Sequence, residues 1–218
     1  MDEASKTMSL YPELLSGYLL GRILDIGAGL DPITIDAEVF DKDQGDAQEV
    51  HLFFPMESFD TVFSSHCLEH MLNPLEAITS WFSLVKPGGY LIVIVPDEDL
   101  YEQGHFPSIF NSDHKATFTI SKSNSWSPVS INCLELCASL DGQTIYIAQQ
   151  SDNYELAKRS YKKLGLLRFR ITRQTLRIKS VKRIARTLKL LPTDQTSQTK
   201  STLAQICFIV QKNSKSDE

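Results

Sequence analysis

Two hundred and eighteen residues, 42% apolar and 22% charged, are enough for one globular domain with a buried core and exclude a disordered chain. No apolar run reaches the roughly 18 residues that cross a bilayer, and the start Met1-Asp-Glu-Ala-Ser-Lys6 has neither the basic flank nor the apolar stretch of a secretory signal. The expected setting is therefore cytoplasmic, with Cys67, Cys133, Cys137 and Cys207 as reduced thiols. The net charge of −5 conceals a segregation: Lys158 to Lys189 holds 13 of the 22 basic residues and no acidic one, leaving −18 on the remainder.

In chain order, Leu10 to Leu20 is a short amphipathic segment. Arg22 to Ile26 then reads as a buried strand entering the tight turn Gly27-Ala-Gly29. Ala37 to Phe40 is a second strand ending at Asp41, Phe59 to Ser64 a third, and Tyr90 to Val95 a fourth, closed by Pro96. Between the last two, Asn73 caps a helix, Pro74 suits its first turn and Glu76 completes a capping-box spacing. Leu75, Ile78, Trp81 or Phe82, and Val85 give it one apolar face, and Lys86-Pro-Gly-Gly89 reads as its stop.

Further on, Asp97 to Ser130 is long and polar and reads as a substrate-facing excursion (97–130) outside the core. Ile131 to Leu140 reads as a helix in which Cys133 and Cys137 are core positions. Thr144 to Ala148 and Ala204 to Val210 are strands, the last belonging to a segment 203–212. A basic helical insertion (154–191) precedes that strand, and Pro192 to Thr202 is a polar linker. Alternating strands and helices predict one α/β domain over 1–218 with a mostly parallel sheet.

A strand ending in Asp25-x-Gly27-x-Gly29 suits a backbone that must approach a ligand closely, because glycine removes the Cβ and permits positive φ. Pro32 stands where a dinucleotide fingerprint requires glycine, which counts against a nicotinamide cofactor. The strings Leu24-Asp-Ile-Gly-Ala-Gly29, Gly45-Asp-Ala47, Ser58-Phe-Asp-Thr-Val62, Ser64-Ser-His-Cys-Leu-Glu-His70, Asn73-Pro74 and Val85-Lys-Pro-Gly-Gly89 occur in that order. Together they resemble the class I S-adenosylmethionine-dependent methyltransferases.

The resemblance covers 21–96 as a cofactor-binding core and implies a Rossmann-like sheet with S-adenosyl-L-methionine over the carboxyl ends of its strands. It implies that Asp25, Gly27, Ala28 and Gly29 hold the methionine portion, Asp25 accepting from the ammonium group directly or through water. Asp41 would take the ribose hydroxyls, with Asp43 as the alternative. Asp46 and Ala47 would border the adenine, and Ser64, Ser65 and His66 would line the pocket floor. The spacings Asp25–Asp41 and Asp41–Asp46 are too short for the usual helices and strand, so the sheet is expected to be trimmed at its edge after the second strand. Val95-Pro-Asp-Glu-Asp-Leu-Tyr-Glu-Gln-Gly104 with Asn111-Ser-Asp-His-Lys115 also resembles a subgroup of small methyltransferases associated with bacterial surface-polysaccharide biosynthesis.

That second resemblance implies O-methylation of a sugar or sugar-phosphate of a surface glycan or its precursor. Another small metabolite as acceptor, or a catalytically silent cofactor-binding subunit, are the alternatives. A hydroxyl acceptor needs a base within hydrogen-bond reach, for which His114 and His66 are the candidates. Tyr101, Glu102, His105, Asp113 and His114 are candidate acceptor contacts. His66-x-x-Glu69-His70 also has the spacing of an inverted zinc-peptidase motif, which would put both histidines on one helical face. No third ligand is evident, and no metal is expected.

Ile171, Ile178, Val181, Ile184 or Ala185, Leu188 and Leu191 recur at helical spacing among Arg173, Arg177, Lys182, Arg183, Arg186 and Lys189. Such a basic amphipathic helix over 171–191 can contact an anionic membrane surface, bind a polyanion, or balance the acidic remainder. A nucleic-acid partner is not expected, because most of the chain is acidic and no aromatic-plus-basic platform is visible.

Overall fold

The computed structural model describes residues 3–156 and 193–214. Eight strands form two sheets: β1 Ile23–Ile26, β2 Glu38–Phe40, β3 Phe59–Ser65, β4 Val85–Pro96, β7 Gly142–Gln150 and β8 Gln205–Lys212 make the main one, and β5 Thr117–Thr119 pairs with β6 Ser130–Asn132. The main sheet runs β2-β1-β3-β4-β8-β7. β2, β1, β3 and β4 are parallel, whereas β8 is antiparallel to both β4 and β7. The chain leaves β1 toward one edge and returns to β3 on the other side, so a crevice opens at the carboxyl ends of β1 and β3 where ligands of such sheets bind.

The central strands read as unbroken apolar runs because both faces of the sheet are covered. In β4, Leu91, Val93 and Val95 join one cluster with Ile78, Trp81 and Phe82. Ile92 and Ile94 join a second with Ala4, Leu15 and Phe63 on the opposite face. Helices α1 Glu3–Leu10 and α2 Pro12–Ser16 supply Ala4 and Leu15 to the second cluster. The expected single segment Leu10 to Leu20 is thus a pair of short helices, the first beginning well before Leu10, with Pro12 opening the second.

Helix α3, Pro74–Ser83, is capped as its sequence demands: the Asn73 side chain accepts from the Glu76 N–H at 3.4 Å. Its buried face is Ala77, Ile78, Trp81 and Phe82, while Leu75 is 49% exposed, so Leu75 is not on the packing face. Val85-Lys-Pro-Gly-Gly89 is also not the helix stop but the start of β4, where Phe59 pairs with Val85 and the register then shifts. Gly88 has φ +79°, and a Cβ on Gly89 would lie 2.6 Å from the Asp60 carbonyl oxygen. The glycines serve a bulge against β3, not a helix terminus.

The trimmed edge is observed. Only a 3-10 segment, Ala47–Leu52, separates β2 from β3. The expected excursion 97–130 is in part core. Asp97 caps a single π turn, Glu98–Glu102, by accepting from the N–H groups of Asp99 and Leu100 at 2.9 and 3.0 Å, and Phe118 of β5 is fully buried. Helix α4, Cys133–Ala138, is capped by Asn132 and buries both of its cysteines. The basic insertion from residue 157 on, with the membrane-contact expectation placed on it, lies outside the described residues. Among those described, no helix is long and apolar enough to cross a membrane.

Candidate active site

A cleft of 740 Å³ occupies the crevice. Gly27 enters it from the end of β1, and Asp41, Lys42, Gly45, Asp46 and Ala47 follow β2. His66, Cys67, His70 and Met71 follow β3, with Asp113 completing the wall. Gly27 has φ +79°, and a Cβ there would lie 2.6 Å from both Cβ and Sγ of Cys67, so only glycine lets the two strand ends meet at this wall. Asp41 braces the glycine turn, its Oδ2 accepting from the Gly29 N–H at 2.7 Å. Asp46 accepts from the Gln48 N–H at 2.9 Å, fixing the turn after β2.

At the wall of the cleft and behind it, six carboxylate and imidazole side chains converge. The backbone carbonyl of Glu69 accepts from the N–H groups of Lys115 (2.7 Å) and Ala116 (3.3 Å), which pins the loop carrying Asp113 and His114 against the turn carrying Glu69 and His70. His70 Nδ1 lies 2.9 Å from Asp113 Oδ2, and His114 Nδ1 lies 2.6 Å from Glu102 Oε1 on the π turn. The His114 ring stacks on Tyr101 at 5.4 Å and meets His70 edge-on at 5.1 Å. Glu69 is 1% exposed; its Oε1 lies 3.5 Å from His66 Nδ1, 3.9 Å from His114 Nε2 and 4.0 Å from His70 Nε2.

The environment sets the charges. Burial works to raise the Glu69 carboxyl, but His66, with His114 and His70, outweighs it and holds the group below its ordinary range. Burial pulls the His66 imidazole down, while Glu69 lifts it further, leaving it above its ordinary value. Burial pushes the Cys67 thiol well up, so it stands on the cleft wall protonated and unreactive. Asp25, almost fully buried, is raised to about 7 by burial, against the lowering effect of the Ile33 N–H that its Oδ2 accepts at 2.7 Å.

The family model described as a methyltransferase domain matches residues 7–126. The chain belongs to that methyltransferase family. A curated relative, the tRNA U34 carboxymethyltransferase of Idiomarina loihiensis, is 36% identical over a 95-position alignment covering 36% of this chain and 29% of the relative. The chain thus spans less than a third of that protein's length. Among solved structures, a SAM-dependent methyltransferase from Archaeoglobus fulgidus superposes with a TM-score of 0.53 at 18% identity, covering 97% of this chain and 95% of the other. The YcgJ protein of Bacillus subtilis superposes with 0.52 at 14% identity, covering 96% and 99%. At such identities these two show the fold alone. The architecture of this chain is the Rossmann-like α/β fold of those solved structures.

Of the residues expected around the cofactor, the methyltransferase brings Gly27, Asp41, Asp46, Ala47 and His66 to one cleft. Asp41, not Asp43, is on its wall. Ser64 is not on the pocket floor: it is fully buried and donates its hydroxyl to the Ile26 carbonyl at 2.9 Å, tying β3 to β1. Ser65 keeps a buried hydroxyl with no hydrogen-bond partner among the described residues. His114, expected to project over the pocket with Asp113, is buried behind it, and only Asp113 reaches the wall.

Glu102, expected to touch the acceptor, is likewise buried, where it holds His114. Tyr101 forms the shelf under that ring, and His105 follows the π turn, its N–H donating to the Glu102 carbonyl. Two metal expectations need correction. His66 and His70 do not share a helical face, since His66 precedes the short 3-10 turn Leu68–His70 with φ +53°. The group that converges is also not the His66/His70 pair, because His114 comes from the distant loop to join Glu69 and His70, their ligand-type atoms lying within 4.8 Å of one another. Glu69 and His70 were legible as part of the string from Ser64 to His70; Lys42, Cys67 and Met71 carried no separate signal.

Proposed function

We propose that the methyltransferase transfers the methyl group to a hydroxyl of a sugar-bearing acceptor, such as a glycan precursor or sugar-phosphate. The observation that supports this is the imidazole–carboxylate cluster of Glu69, His70, His114 and Asp113 at the cleft that Gly27 enters. When bound, S-adenosylmethionine supplies an electrophilic methyl on a sulfonium. Displacement from it is in-line, so the protein has to position the acceptor, exclude water and draw off the acceptor's proton. A neutral amine needs no such cluster to become nucleophilic; a hydroxyl does.

In this reading the methionine portion lies along Gly27 to Gly29 with its ammonium beside Asp25. The ribose lies on Asp41, and the adenine on Asp46 and Ala47. The name of the curated relative supports a second reading, an RNA acceptor, in which a ribose hydroxyl takes the same place. That name leaves the expectation against a nucleic-acid partner without support. The test is release of S-adenosylhomocysteine with sugar-phosphates, extracted glycans, bulk tRNA and small amines offered separately. A hydroxyl-bearing acceptor is expected to stimulate turnover, and His70→Asn to reduce it about a hundredfold with cofactor affinity kept. Stimulation by amines alone contradicts the proposal.

Asp25 gives a pH signature. Its folded-state value, about 7, lies above that of an unfolded aspartate, so the protonated form stabilises the cofactor-free fold at low pH. That contribution is fully present below about pH 4 and is lost as pH rises through about 7. An ammonium placed beside it favours the ionised form, so cofactor binding at pH 6 is expected to release close to one proton. Titration calorimetry in buffers of different ionisation enthalpy measures that release, which should vanish above about pH 8 and in Asp25→Asn.

A further inference from the structure

We propose that Glu69, His70 and His114 bind a divalent transition-metal ion of the zinc class. The tautomers carry the argument. His70 Nδ1 is committed to Asp113 and His114 Nδ1 to Glu102, at 2.9 and 2.6 Å, both carboxylate acceptors. In its neutral form each ring therefore carries its proton on Nδ1 and turns an Nε2 lone pair toward Glu69 Oε1, at 4.0 and 3.9 Å. His66 is held against the same carboxylate from the other side of its ring. The Gln205 amide nitrogen donates to Thr7 Oγ1 and Gln150 Oε1, so its oxygen must accept from His66 Nε2, leaving Nδ1 facing Glu69 at 3.5 Å.

Three imidazoles thus converge on a carboxylate that is 1% exposed and has no donor in hydrogen-bonding geometry on either oxygen among the described residues. A buried carboxylate in this setting needs a cation among these atoms, either protons on the imidazoles or a metal ion held between them. The ligand atoms of Glu69, His70 and His114 all lie within 4.8 Å of one another. An ion about 2.0–2.2 Å from each needs a contraction of only about half an ångström. Two imidazoles and one carboxylate form a set that suits zinc or iron better than magnesium or calcium. Both rings already have the carboxylate-bonded Nδ1–H that orients histidine on a metal.

Three protein ligands leave a position open, and His70 places it at the cleft. An acceptor hydroxyl bound there would become more acidic, its proton passing to solvent. This role rests on the hydroxyl-acceptor reading; the binding of the ion does not.

The full chain, stripped with chelator and titrated with Co(II) without acceptor, is expected to develop a visible ligand-field band at one equivalent that Zn(II) abolishes. Glu69→Gln preserves volume and His70→Asn alters a ring that is 25% exposed, so both should fold and keep S-adenosylmethionine affinity while Co(II) affinity falls at least a hundredfold. No band in the wild-type chain, or an unchanged band in His70→Asn, overturns the proposal and leaves protons as the cation that balances Glu69. A metal-loaded enzyme that methylates no hydroxyl acceptor defeats the functional reading and leaves the site standing.

Discussion

Replacing Gly27 by alanine is expected to weaken S-adenosylmethionine binding at least a hundredfold and to lower the melting temperature by about 5–10 °C. Two costs add. At φ +79° an L side chain is strained by roughly 1–2 kcal/mol, and the new Cβ meets Cys67 Cβ and Sγ at 2.6 Å, a distance real Cβ atoms do not tolerate. Relief requires the ends of β1 and β3 to part, or Cys67 to swing toward the cleft it lines. A total of about 2–3 kcal/mol in a domain of this size corresponds to the stated shift.

Gly29→Ala is the internal control. Its φ is +57°, but the added Cβ meets only Asp41 Oδ2, at an ordinary 3.8 Å. The backbone penalty alone remains, and the loss of affinity should be about tenfold smaller than for Gly27→Ala. Calorimetric titration of the two variants side by side checks the order. Equal effects would mean that turn flexibility, not the contact with Cys67, sets the requirement.

Glu98→Ala should be the most destabilising substitution in the segment after β4, costing about 3–5 kcal/mol. Glu98 is fully buried. Its Oε1 accepts from Lys122 Nζ at 2.7 Å and Ser125 Oγ at 2.8 Å, and its Oε2 from Thr117 Oγ1 at 3.1 Å and Ser130 Oγ at 2.6 Å. Both β5 and β6 are therefore tied to the π turn through one carboxylate. Alanine removes the acceptor for all four donors at once. Glu98→Gln should cost less, since the three hydroxyls can reorient while the lysine cannot. Thermal unfolding of both variants gives the comparison; a change of under about 1 kcal/mol for alanine contradicts this account.

The same segment shows where sequence reasoning runs out. Pro96-Asp-Glu-Asp-Leu-Tyr-Glu102 reads as a polar loop because three or four acidic residues in a row normally face water. Glu98 and Glu102 are buried only because Lys122, Ser125, Ser130 and His114, all far along the chain, come to meet them. No local pattern encodes those meetings. Likewise Lys86-Pro-Gly-Gly89 carries the same signals for a helix stop and for a bulge, and only the close approach of Gly89 to Asp60 distinguishes them.

What was legible lay where local chemistry dictates geometry. A glycine turn after a buried strand, an Asn-Pro helix start and the short Asp25–Asp41 spacing each have few structural solutions, and all three are present. The histidine pair His66 and His70 was legible as a motif, yet its geometry was not. A positive φ at His66 breaks the presumed helix, and His114 joins Glu69 and His70 from beyond β4. Ser64 was misplaced for a simpler reason, since its hydroxyl turns into the sheet to donate to the Ile26 carbonyl, while His66, just past the end of β3, reaches the crevice.

Hydrogen–deuterium exchange of the full chain with and without S-adenosylmethionine addresses the location of the cofactor most directly. Protection is expected in three separated stretches, Gly27 to Gly29, Asp41 to Ala47 and His66 to Met71, which only the crevice brings together. Protection confined elsewhere, or none at saturating cofactor, contradicts the placement of the reaction at the ends of β1 and β3.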